Sequence, residues 1–157
     1  TMCPSCLELY ADIWSKPCCK CNTKTISVSV ELIRVSQLLI DRGFRVYTAT
    51  CDTDKDTCGN YVTRIDIYFD ALYPDELFCE LPPDWEICDY YHVVDGGQAL
   101  ERPASILTCV CVHPDDVTGS DENIVFDRLI TISNFETWVE SKDPDACKSL
   151  IVLAGCV

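Results

Sequence analysis

The sequence predicts an α+β protein: a short cysteine-rich appendage over residues 1–27, then a small, mainly antiparallel sheet packed by helices over residues 28–157. Three observations carry the prediction. Five of the thirteen cysteines crowd into the first 21 residues. Further on, apolar residues recur at helical spacing in several separate stretches, each able to bury one stripe. Between those stretches run β-branched and aromatic segments in which apolar and polar residues alternate, the pattern of half-buried strands.

The early cysteines fall into Cys3-Pro4-Ser5-Cys6 and Pro17-Cys18-Cys19-Lys20-Cys21. Read as Cys3-x2-Cys6, eleven residues, then Cys18-x2-Cys21, this is the ligand spacing of a zinc ribbon. Four thiolates close a tetrahedral shell and leave no open position for a substrate water, so the expected cofactor is structural zinc held by Cys3, Cys6, Cys18 and Cys21. Iron is the alternative, because tetrahedral four-sulfur sites also take it. Cys19 reaches Cys21 through a one-residue spacer only, which makes Cys18 the expected ligand and Cys19 the spare. Pro4 and Pro17 mark two tight turns whose amides point at the sulfurs. Leu7 and Asn22 stand where glycine often follows the second thiolate, and Asn tolerates the left-handed backbone that place requires. Leu7, Leu9, Ile13 and Trp14 are expected to cover the metal.

Ile26, Val28 and Val30 alternate as a short strand leading out of the ribbon. Leu32, Val35 and Leu39 then follow helical spacing, with Ser29 as the expected cap, Glu31 in the first turn and Gly43 as the stop. Phe44 to Thr50 and Tyr61 to Phe69 read as strands. The ten polar residues from Cys51 to Asn60 read as the loop joining them, so the two strands are expected to pair antiparallel. Pro74 to Glu80 offers one helical turn with Pro74 at its first position. Trp85 to Tyr90 and Ile106 to Val112 are the third and fourth strands, with Gly96-Gly97 as a turn between them. A helix begins at Ser120 or Asp121, with Ile124, Val125, Leu129 and Ile132 apolar. Ser133 and Glu136 stand at capping-box spacing, where a second helix restarts. Asp143-Pro144 caps a last helix that Gly155 stops. No internal repeat is visible.

Charge restricts the partners. Residues 1–28 carry three lysines against Glu8 and Asp12, whereas the other 129 residues carry 9 basic and 24 acidic groups. An acidic body repels phosphate backbones, so direct nucleic-acid binding by it is not expected. The same charge admits an acidic inhibitor that mimics nucleic acid and fills an enzyme's basic groove. No run of about 20 apolar residues is present to span a bilayer, and no membrane role is expected. The odd cysteine count and the apolar setting of Cys79, Cys88, Cys109, Cys111, Cys147 and Cys156 suit buried thiols in a reducing cytoplasm better than a disulfide scaffold.

Other constellations are weaker. Asp52-Thr53-Asp54-Lys55-Asp56 begins like a calcium loop, but Thr57 replaces the required Gly and Thr63 the bidentate Glu. Neither His92 nor His113 adjoins a recognisable nucleophile motif. Cys51 and Cys58 read as idle thiols before they read as a redox or metal pair.

The residues Leu38-Leu39-Ile40-Asp41-Arg42-Gly43-Phe44, the strand from Thr63 to Phe69, and Leu81-Pro82-Pro83-Asp84-Trp85 together carry a likeness. With the cysteine ribbon before them and Phe135-Glu136-Thr137-Trp138-Val139-Glu140-Ser141 after, the chain resembles small uncharacterised zinc-ribbon proteins of Gram-positive bacteria and their phages. That group often has Cys-Ser-Gly-His after the first strand. Here Cys51-Asp52-Thr53-Asp54 stands there, and only Cys51 matches. The resemblance implies an architecture and no activity. The leading expectation is a non-enzymatic interaction or regulatory protein with a protein partner. An enzyme with its site near the segment from Cys51 to Asn60 is the other alternative beside the acidic inhibitor.

Overall fold

The computed structural model describes residues 1–11, 16–94, 100–113 and 121–156. Ile13, Trp14, Gly96, Gly97 and Ser120 lie outside them, as does the side chain of His92. Strands β1 (Ser27–Val28), β2 (Val46–Lys55), β3 (Tyr61–Phe69), β4 (Trp85–Val94) and β5 (Leu100–His113) form one sheet in the order β1-β2-β3-β5-β4. Every neighbouring pair is antiparallel except β1 and β2. A parallel pair needs a crossover, and helix α1 (Ile33–Asp41) supplies it. Helices α2 (Asp121–Glu140) and α3 (Pro144–Leu153) complete the α+β fold.

Strand register places the core. Ala49 and Cys51 of β2 stand opposite Ile67 and Ile65 of β3, and these stand opposite Leu107 and Cys109 of β5. All six are buried on one face, where Val35, Leu39, Ile132, Phe135, Val139 and Ile151 of the three helices join them. Phe135 stacks on Trp85 with ring centroids 4.0 Å apart, and Phe44, Phe69, Tyr73 and Phe78 pack edge-on or tilted beside them. The opposite sheet face presents Val110, Val112 and Arg64 to solvent.

Several expectations change. The stretch from Cys51 to Lys55 is strand, and only residues 56–60 turn. Its polar residues mislead because the ladder with β3 supports them: Thr53 and Thr63 meet face to face with their hydroxyls 2.9 Å apart. The Asp56 carboxylate closes the turn by accepting from the Cys58 and Asn60 amides. Ser29 precedes a 3-10 helix over Val30–Leu32 and not an α-helix, and its side chain makes no capping bond. Its hydroxyl accepts instead from the Cys51 amide at 3.1 Å. Pro74 precedes a 3-10 turn over Asp75–Phe78, one position earlier than expected. No helix restarts at Ser133, because α2 runs unbroken to Glu140 and the Ser133 carbonyl accepts from the Thr137 hydroxyl one turn on. Val125 and Leu129 face solvent, while Ile124, Ile132, Phe135 and Val139 make the buried stripe. Cys79 and Cys88 are exposed, the former just past a 3-10 turn and the latter pointing to the sheet face that Trp85 and Ile87 turn away from.

Helix stops follow the chemistry expected. Gly43 has φ +91°, a conformation that favours glycine, and a Cβ there would stand 3.0 Å from Cγ of Lys148, which would have to shift. Asp143 caps α3 by accepting from the Ala146 amide at 2.8 Å, with Pro144 at the first position.

Candidate metal centre

Two hairpins build the ribbon, and they repeat at a 15-residue offset that the differing side chains conceal. The Leu7 amide donates to the Cys3 carbonyl and the Cys3 amide to the Glu8 carbonyl, both at 2.9 Å. The Asn22 and Cys18 amides make the equivalent bonds to the Cys18 and Thr23 carbonyls, both at 2.8 Å. Met2 bridges to Leu9 as Pro17 bridges to Lys24. Each hairpin turns through a left-handed residue directly after its second cysteine, Leu7 at φ 59° and Asn22 at φ 57°. Met2, fully buried, pairs with Ile26 and so fastens the first hairpin to the strand that leads into β1.

The turns converge four sulfurs. Sγ atoms of Cys3, Cys6, Cys18 and Cys21 all lie within 4.8 Å of one another, the one such group of Cys, His, Asp or Glu able to hold a metal among the described residues. Individual separations are 3.4 Å for Cys3 and Cys21, 3.5 Å for Cys6 and Cys18, and 3.9 Å for Cys6 and Cys21. Zinc–sulfur bonds of about 2.3 Å in a tetrahedron put the sulfurs about 3.8 Å apart, a spacing that lies within the range of this donor set. The fifth early thiol, Cys19, is exposed and stands outside the four-sulfur group.

Outer contacts prepare these sulfurs for a cation. The Lys20 amide donates to Sγ of Cys18 at 3.4 Å, and the Tyr10 hydroxyl donates to the same sulfur at 3.1 Å. Donation from Tyr10, above all, pulls the Cys18 thiol down to about 6, against the desolvation that raises it. The side-chain and backbone hydrogen bonds between Cys21 and Thr23, whose Oγ1 lies 3.3 Å from Sγ of Cys21, lower that thiol. The Glu8 amide also pulls on Cys6, yet its hydrogen bonds to the Cys18 and Cys3 thiols outweigh that pull and push it up to about 12. Sulfurs this close cannot all carry negative charge unless a cation shares it, which is what a bound metal supplies.

Tyr10, Thr23 and Ser5 were invisible as site residues from spacing alone. The Ser5 and Thr23 hydroxyls tie the two hairpins together at 3.0 Å. Lys20 pairs with Glu8 of the opposite hairpin. Leu7 is half-buried near the cluster, but Leu9 is half-exposed and is no part of a metal cover.

Away from the ribbon, Cys51 is buried in the core, and burial pushes its thiol up to about 11. Cys58 is exposed in the turn, so the two thiols are not a pair. Asp52 and Asp54 lie in β2 and Asp56 is taken up by its own turn, so no calcium loop forms. His113 does find an acid, with Nδ1 3.3 Å from Oδ2 of Asp127 and Nε2 3.2 Å from Oγ1 of Thr63. Thr63 is fully buried, out of reach of any substrate, and this chain ties α2 to the sheet. No helix among the described residues is long and apolar enough to cross a membrane. Set against protein-family models, curated proteins and solved structures, the chain matches none of them.

Proposed function

We propose that this is a non-enzymatic interaction or regulatory protein of a bacterium or phage, working in a reducing cytoplasm, in which four thiolates and zinc clip the N-terminal ribbon into shape. Support comes above all from the four sulfurs drawn within 4.8 Å by two matching hairpins. Such a shell is saturated by protein ligands and leaves no place for a reacting water, so the metal organises structure and performs no chemistry. Cys3 and Cys18 are buried beneath the ribbon, while Cys6 and Cys21 lie at its surface, which leaves the ribbon a compact projection on the β1 edge of an acidic body.

A protein partner suits the surface better than a phosphate backbone does. Phe126, Leu129 and Ile130 project from the outer side of α2 and are 62%, 51% and 43% exposed. An apolar patch of this kind favours protein contact, and the surplus of acidic groups disfavours nucleic acid.

Metal analysis of the purified full chain is the test. One equivalent of zinc is expected, retained by Cys19→Ser and lost by Cys18→Ser. Iron in its place would show as visible thiolate-to-metal absorption. Absence of any stoichiometric metal, or loss with Cys19→Ser instead, sinks the ligand set and the structural role with it.

A further inference from the structure

Cys19 has no place in the shell, yet it is held beside it. Its Sγ lies 3.3 Å from the Tyr10 hydroxyl, whose other hydrogen bond goes to Sγ of Cys18 at 3.1 Å. The Cys19 amide also points at that hydroxyl, at 3.2 Å, so three contacts at one oxygen fix the fifth thiol against the metal ligands. The thiol is exposed, and so are two of the four ligand residues, Cys6 and Cys21. This arrangement differs from that of the exposed thiols outside the ribbon: Cys58 sits in the turn after β2, Cys79 beyond a 3-10 turn and Cys88 in β4, all far along the chain from the ribbon. A closed structural shell needs only four sulfurs and gains nothing from a fifth at its rim.

We propose that Cys19 is a peroxide-sensing thiol that opens the clip: oxidised by a hydroperoxide, it captures a ligand sulfur of its own hairpin, Cys18 or Cys21, as a disulfide. This rests on the zinc reading above. In the first step the Cys19 sulfur attacks the O–O bond, taking one oxygen as sulfenic acid, and the second oxygen leaves as water with the thiol proton. The neighbouring ligand sulfur then attacks the sulfenic sulfur. An S–S bond forms, the S–O bond breaks, and hydroxide departs to be protonated by solvent. Two electrons pass from two sulfurs to one peroxide. The shell is left with three thiolates, and its hold on the ion weakens.

The Tyr10 hydroxyl gives this step its direction, because it holds the Cys19 sulfur beside that of Cys18. Reduction of the disulfide restores four sulfurs, so the clip closes again when thiol reductant returns. Opening it frees the hairpins that Met2 fastens to Ile26, which converts an oxidant signal into a change at the β1 edge.

The test uses dilute, zinc-loaded full chain treated with hydrogen peroxide near neutral pH. Zinc release is followed with a chromogenic chelator, and disulfides are mapped by mass spectrometry. The first disulfide is expected to contain Cys19, joined to Cys18 or Cys21. Cys19→Ser should hold zinc normally before oxidation and release it at least about fivefold more slowly, because the exposed attacking sulfur is gone. Cys58→Ser should release it at the wild-type rate, and a thiol reductant should restore binding in the wild type. Release from Cys19→Ser at the wild-type rate, or a first disulfide among shell cysteines with Cys19 still reduced, overturns the proposal while leaving the zinc reading intact. Protein that carries no zinc before peroxide is added removes both.

Discussion

The Arg42 guanidinium donates through Nε to the carbonyl of Lys142 at 2.9 Å, joining the end of α1 to the turn that follows α2. Its other nitrogens donate to the Leu38 and Glu140 carbonyls, so one buried side chain satisfies the open C-termini of two helices. Arg42→Met keeps the length and leaves three carbonyls without this donor, and should cost about 2–4 kcal/mol. Arg42→Lys should recover part of that loss, because an ammonium cannot span the fork. Urea unfolding at neutral pH measures both. A methionine variant as stable as the wild type would show that the helix ends are satisfied without Arg42.

Leu7 is a leucine in a glycine's place. At φ 59° its Cβ crowds the following carbonyl, a cost of about 1–2 kcal/mol for an ordinary residue. Glycine removes that cost and adds about 0.5–1 kcal/mol of unfolded-state entropy, so Leu7→Gly should be at least as stable as the wild type in its metal-loaded form. Asn22→Gly should change little, since Asn already tolerates the left-handed region. Thermal melting with competition for zinc against a calibrated chelator reads out both. A Leu7→Gly protein that melts lower and binds zinc more weakly would mean that contacts of the leucine side chain outweigh its backbone strain.

Asp70 supplies the pH dependence that can be isolated. Partial burial raises its carboxyl, but hydrogen bonds from Arg102 and Arg45 overcome this and hold it below the ordinary value of 3.8. A carboxyl depressed in the folded state adds stability above its unfolded pKa and loses it as pH falls through the folded one. Asp70→Asn should therefore cost about 1 kcal/mol at neutral pH, allowing for the partly exposed arginines. The gap to the wild type should begin to close below about pH 4. A gap of constant size across that range would assign the effect to shape rather than charge.

The clustering of Cys3, Cys6, Cys18 and Cys21, the stop at Gly43 and the cap at Asp143 were legible in the sequence because they are local. Two residues between thiolates, or Asp143 before Pro144, act through the nearest turn of chain whatever lies elsewhere. The strand from Cys51 to Lys55 was not legible, because Thr53 and Asp54 look like loop until Thr63 and Val62 pair with them across the ladder. Ser133 misled in the same way: its capping-box spacing is real, but Ile132, Phe135 and Val139 bury one continuous stripe that overrides it. The repeat of the hairpins was hidden for a further reason. It resides in amide-to-carbonyl bonds, and Leu7 and Asn22 share a backbone conformation while sharing no side-chain chemistry. Tyr10 became a site residue only when the first hairpin folded it back onto Cys18.

Metal removal should unfold the ribbon and spare the body. Among the described residues, the main core cluster contains none before Leu32; of those in the segment before it, only Ile26 and Val28 pack against that cluster, both partly buried. Its aromatic centre, with Trp85 stacked on Phe135, is made wholly within the later part of the chain. The ribbon has two short hairpins, a few hydrogen bonds and its sulfurs, too little buried surface to stay folded without an ion. A chelator should therefore open residues 1–26 to protease while the cooperative urea transition of the remainder moves by no more than about 0.5 kcal/mol. Far-UV circular dichroism should keep its helical signal, because α1, α2 and α3 all lie in the body. Loss of that signal on chelation would mean that the pairing of Met2 with Ile26 makes ribbon and sheet a single cooperative unit, and that a boundary between residues 27 and 28 has no thermodynamic meaning.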